Sequence, residues 1–122
     1  ISRGLVGSEM CIRDRHRFFE EVTPLVFGCV NPEEITFCAD HRIVFDGGEV
    51  VVAMAQNNGL ALTGERYDQI YIHIFKVRDG QIRAIIECFD SALANLALWG
   101  ASAALVPDEP SALSSVQRFA DA

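Results

Sequence analysis

YDQIYIHIFKVRDGQIRAIIECFD, residues 67–90, is the stretch that decides the fold. Two runs rich in isoleucine, valine and aromatics flank Arg78-Asp79-Gly80. Branched and aromatic side chains suit strands, and Asp-Gly between such runs is a turn signal. The stretch reads as a β-hairpin. Its loop length matters, because a one-residue slip turns every side chain to the other face. A two-residue loop, Asp79-Gly80, would pair Arg78 with Gln81 and set His73 opposite Ile86. A three-residue loop with Gly80 left-handed as a bulge pairs Val77 with Gln81. His73 then stands opposite Ile85, and Tyr71 opposite Glu87. This second register is preferred, because it collects Ile70, Ile72, Ile74, Ala84, Ile86 and Cys88 on one apolar face. The other face holds Tyr67, Tyr71, His73, Phe75, Ile85, Glu87 and Phe89. A polar cluster among aromatics has the character of a small-molecule pocket.

Upstream, residues 34–45 alternate, with Ile35, Phe37, Ala39, Ile43 and Phe45 on one face. His41 falls on that face and reads as structural rather than catalytic. Asp46-Gly47-Gly48 signals a hairpin, and residues 49–56 return as a Val-rich strand. Asn57-Asn58-Gly59 is expected to break that strand into a loop. Residues 15–28 place Phe18, Phe19, Val22, Leu25 and Val26 at helical spacing. Pro24 should kink or break that helix, and Gly28 should end it. Downstream, Asp90 reads as a cap or turn residue before a Leu/Ala-rich helix, residues 91–99, closed by Gly100. Residues 106–110 read as a linker and residues 111–122 as a short terminal helix or a frayed end.

The first fifteen residues fit nothing downstream. LVGSEMCIRDR, residues 5–15, resembles a translated sequencing-library adapter. On that reading, residues 1–15 are a non-native segment and the native chain starts near His16.

The 122 residues, half of them apolar, suit one soluble domain. No run of about 18 or more apolar residues suggests a membrane span. A net charge of −7 disfavours nucleic acid, which rewards clustered Lys and Arg. The four cysteines, Cys11, Cys29, Cys38 and Cys88, lie far apart with no CxxC pair. Free thiols in a reducing cytoplasm fit that spacing better than a metal cluster, and no metal is expected.

A helix followed by a four-strand meander, with VRDGQI in the last turn and ECFDSAL after it, resembles the SnoaL-like branch of the nuclear transport factor 2-like superfamily. The resemblance rests on Tyr67, Tyr71, Phe75, Val77, Arg78, Asp79, Gly80, Ile82, Asp90, Ser91, Ala92 and Leu93. It spans residues 17–98. It implies an α+β fold, a cystatin-like cone-shaped roll. In it a curved antiparallel sheet holds an N-terminal helix in its concave face, with a C-terminal helix beside it. It implies a domain at residues 16–100 that lacks the two helices and short strand with which the family usually begins. Residues 101–122 would be a tail. Family members include ketosteroid isomerases, polyketide cyclases, dehydratases and limonene epoxide hydrolases. In the ketosteroid isomerases, an acid that donates to the oxyanion falls at the position of His73. In the polyketide cyclases, a His and an acid on the last two strands fall at His73 and Glu87.

These readings converge on a cofactor-independent proton-transfer site. His73 can accept or deliver a proton near neutral pH. Tyr71 could orient it or donate to a developing enolate oxygen. Glu87 could act as an acid or hold His73 in one tautomer. Tyr67 at the rim, Phe75, Ile85, Phe89 and Phe18 would contact an apolar carbonyl or polyketide-like substrate. The competing expectation is a non-catalytic binding or dimerisation module, in which the same polar groups only tie strands together. The apolar outer face of the hairpin needs cover, and a homodimer through that face would supply it.

Overall fold

The computed structural model describes residues 9–11, 18–102 and 115–122. The fold is α+β, with an open antiparallel sheet and a few short helices. Its strands are β1 (Glu9–Cys11), β2 (Val30–Asp46), β3 (Val50–Ala61), β4 (Ile70–Arg78) and β5 (Gln81–Phe89). They lie in the order β1-β5-β4-β3-β2, and every pairing is antiparallel. The four long strands are a simple meander, as their short connections require. Strand β1 falls inside the adapter-like segment and pairs Glu9 with Ile86 on the β5 edge.

A π-helical turn, Phe18–Val22, runs directly into α1 (Thr23–Phe27). Pro24 sits in the first turn of α1, where its missing N–H costs nothing. The kink or break expected at Pro24 takes the form of a change of winding between Val22 and Thr23. Helix α2 (Ser91–Trp99) follows β5, and α3 (Ser115–Asp121) closes the described chain. The linker expected at residues 106–110 lies outside the described residues.

The core gathers at one end of the sheet. Val30, Ile35, Ala61 and Tyr67 pack against Ala94, Ala97 and Leu98 of α2. Small alanines on one face of α2 let the helix approach the sheet closely. Thr63 Oγ1 donates to the Ala97 carbonyl at 2.7 Å and fixes that approach. Asp90 caps α2, its carboxylate accepting from the Ala92 and Leu93 amides. Gly100, at φ 59°, ends it in a left-handed turn.

Three sequence expectations are corrected. First, Asn57-Asn58-Gly59 does not break β3, which continues to Ala61. The Asn57 side chain is buried and hydrogen-bonded, so an asparagine can stay within the strand. Gly59, at φ +148°, lets β2 pass against it. A Cβ there would lie 2.2 Å from the Glu34 carbonyl oxygen and 2.4 Å from the Ile35 Cα.

Second, the alternation over residues 34–45 does not hold along β2. Register shifts interrupt it between Val30 and Ile35, Thr36 and Asp40, and Ile43 and Phe45. Cys38, at φ 52°, marks the middle irregularity. Ile35 is buried, whereas Ile43 and Phe45 are 68 % and 56 % exposed.

Third, the β4–β5 turn has two residues. Asp79 and Gly80, at φ 54° and 71°, join Arg78 to Gln81. The extra residue sits inside the strand instead. Val77 faces Ile82, but Lys76 faces Ala84, so Arg83 is bulged out. His73 therefore stands opposite Glu87, and Tyr71 opposite Phe89. One bulge restores the face assignment that the short turn alone would have inverted.

The outer face carries Ile70, Ile72, Ile74, Ala84, Ile86 and Cys88, as expected, and extends to Lys76 beside Ala84. Helix α3 covers that extension. The Lys76 ammonium donates to the Ala120 carbonyl at 3.0 Å and lies 5.9 Å from the Phe119 ring centre. Ile70, Ile72 and Met54 stay substantially exposed.

Candidate functional site

The inner face of β4 carries Tyr71, His73 and Phe75 in a row, because alternate strand residues share a face. The three rings follow one another. Tyr71 and His73 are nearly parallel, 5.6 Å apart at a 12° tilt, and His73 and Phe75 are 5.8 Å apart at 34°. Phe89 tilts against Tyr71 at 6.2 Å. Phe75 and Ile85 face each other as partners on β4 and β5, both half-buried.

His73 and Glu87 are direct cross-strand partners on this face. His73 Nε2 lies 2.8 Å from Glu87 Oε1, with side chains 17 % and 26 % exposed. With Nε2–H donating to the carboxylate, Nδ1 carries the lone pair and is the proton-accepting atom. A carboxylate on the far nitrogen steadies the ring's orientation and stabilises the imidazolium once a proton arrives.

Behind this pair lies a buried polar chain. The Asn57 amide nitrogen donates to the Tyr71 hydroxyl at 3.2 Å, and the Asn57 side-chain oxygen accepts from the Cys38 amide at 3.0 Å. The Tyr67 phenol interacts with Tyr71 and with the Gln69 side chain. Gln69 is fully buried and clasps Asp90, donating to its carbonyl at 2.7 Å and accepting from its amide at 3.0 Å. Desolvation raises both tyrosines' pKa values above the ordinary phenol value of 10.0, Tyr71 strongly.

Tyr67, expected at a rim, is a core residue 2 % exposed, edge-on to Phe37. The Phe18 side chain lies outside the described residues. Sequence reasoning missed Asn57 and Gln69. An Asn amid strand-forming residues and a Gln immediately before β4 give no signal until their buried partners are known. His41 is exposed, its Nδ1 3.1 Å from the Cys38 carbonyl oxygen, and takes no part in the cluster.

Burial, and then the charge of Glu87, raise the Cys38 thiol pKa above its ordinary value. Cys38 is on β2 and Glu87 on β5, with two strands between them in the sheet order. Cys88, on the outer face, is raised by the same two causes. An open groove of about 340 Å³ lies away from the His73–Glu87 pair, lined by Ile70, Ile72, Cys88, Phe89, Asp90 and Leu93 among others. Among the described residues, no group of three or more His, Cys, Asp or Glu side chains is placed to hold a metal ion. Among those residues, too, no helix is long and apolar enough to cross a membrane.

No protein-family model matches the chain, and comparison with curated proteins and with solved structures returns no match.

Proposed function

We propose that this chain is a SnoaL-like domain that binds an apolar carbonyl or polyketide-like molecule on the inner face of β4 and β5 and moves a proton there. The observation that carries the reading is the 2.8 Å contact between His73 Nε2 and Glu87 Oε1 within a row of aromatic rings. His73 Nδ1 takes a proton from carbon next to the carbonyl, and the C–H electron pair moves onto the carbonyl oxygen as an enolate. Glu87 stabilises the imidazolium until the proton is returned. Returning it to a different carbon is isomerisation. Attack of the enolate on a second carbonyl is aldol cyclisation, and loss of a β-hydroxyl is dehydration.

Tyr71 acts here as a shelf for the imidazole, since its hydroxyl is engaged by Asn57. Phe75, Ile85 and Phe89 supply apolar contact. The sheet would curl into a cone around this face, as the SnoaL-like resemblance implies. Ile70, Ile72 and Met54 form the exposed part of a homodimer contact on the outer face, and the protein works in the cytoplasm without a cofactor.

A non-catalytic binding module of the same fold is the second reading. It is favoured by the same buried chain, which already satisfies Tyr71 and Gln69 internally. The test is turnover and binding of a panel of apolar carbonyl compounds by the wild type and His73→Ala. Turnover that His73→Ala abolishes while binding persists supports the enzyme. Tight wild-type binding with no turnover of any panel member supports the module.

A further inference from the structure

We propose that two copies of this chain pair antiparallel along the free edge of β2, in a register centred on His41. Strand β2 is the last strand of the sheet among the described residues, and among them no strand neighbours the other side of its backbone. Within it, Asp40, His41, Arg42 and Ile43 pair regularly with Gln56, Ala55, Met54 and Ala53 of β3. The left-handed Cys38 lies before this window and a register shift follows Ile43. The irregularities confine pairing to about five residues, too few to tolerate many alternatives.

The window is complementary to itself. In an antiparallel pair centred on His41, Asp40 faces the partner's Arg42, and Arg42 faces the partner's Asp40. Ala39 likewise faces Ile43, so a side chain now 68 % exposed gains a small apolar neighbour. Centring the pair on Asp40 or Arg42 instead sets like charges opposite each other. A shift by one residue sets Asp40 against Ile43. Only one register matches charge twice, as a two-fold interface demands.

The edge is open to such a partner. The Asp40 and Arg42 side chains are 71 % and 76 % exposed, with an Nη1–Oδ1 distance of 3.1 Å. The Arg42 guanidinium also donates to the His41 carbonyl at 3.0 Å. That carbonyl accordingly points to the free edge, and strand geometry points the His41 N–H the same way. The guanidinium occupies the place that a partner strand's amide would take.

The test is sedimentation equilibrium of the full chain, with wild type, Asp40→Arg, Arg42→Asp and the exchange carrying both changes. The wild type should show a concentration-dependent dimer. Each single change should weaken it about tenfold or more by placing like charges opposite one another, and the exchange should restore it. His41→Pro, which removes the edge N–H, should abolish it with the circular dichroism unchanged. All are compared in an Ile72→Asp background, which removes the outer-face contact and should leave this pairing intact. A monomeric wild type, or dimerisation indifferent to both single changes and to His41→Pro, would overturn the proposal. So would an exchange variant that fails to recover.

Discussion

The Asn57 side chain joins three strands at Tyr71: its nitrogen donates to the Tyr71 hydroxyl, and its oxygen accepts from the Cys38 amide on β2. Asn57 is 2 % exposed and Tyr71 8 %, so neither end of the bond competes with water. The bond fixes the ring on which the His73 imidazole rests, and it explains why an asparagine continues β3 instead of ending it.

This burial makes the tyrosines a probe of the native state. The chain has two tyrosines, Tyr67 and Tyr71, so all of its phenolate absorbance comes from this cluster. Both have pKa values raised by burial above 10.0. The unfolded chain therefore releases these protons first. The stabilisation is whole below about pH 10 and declines as pH rises above that value. Alkaline titration should show phenolate appearing only together with loss of secondary structure. Ionisation near pH 10 in a chain with unchanged circular dichroism would contradict the buried cluster.

Gln69 and Asp90 should separate in stability. Asp90→Ala removes a helix cap and should cost about 1 kcal/mol. Gln69→Leu leaves the Asp90 amide and carbonyl without their partners and should cost about 2–3 kcal/mol. Urea denaturation of the two variants checks the order. A smaller loss for Gln69→Leu than for Asp90→Ala would show that water replaces the glutamine.

Gly59→Ala should be the most damaging small change in the sheet. The added Cβ meets backbone atoms of Glu34 and Ile35, which cannot rotate away, at a φ that L-residues rarely adopt. A loss of about 3 kcal/mol or more is expected, or failure to fold. Gly48→Ala, also at positive φ but with nothing within 4 Å, should cost clearly less. Comparing the two by thermal unfolding isolates the contact with β2.

Residues 67–90 by themselves determined the hairpin, the place of its turn around Asp79-Gly80, and the grouping of Tyr71, His73 and Phe75 on one face of β4 and of Glu87 and Phe89 on one face of β5. These follow from period-two alternation and from a dipeptide tolerant of positive φ, both local properties. The Asp90 cap and the Gly100 stop were legible for the same reason. Tertiary structure alone decided which residue faces His73. The shorter turn and the bulge at Arg83 together moved the partner from the expected Ile85 to Glu87, and the turn sequence does not reveal a bulge several residues away. It also decided that Asn57-Asn58-Gly59 stays in a strand and that Tyr67 joins the core. In both cases a buried partner distant in sequence supplies the hydrogen bond or the apolar contact, and long-range satisfaction of that kind has no periodicity to read.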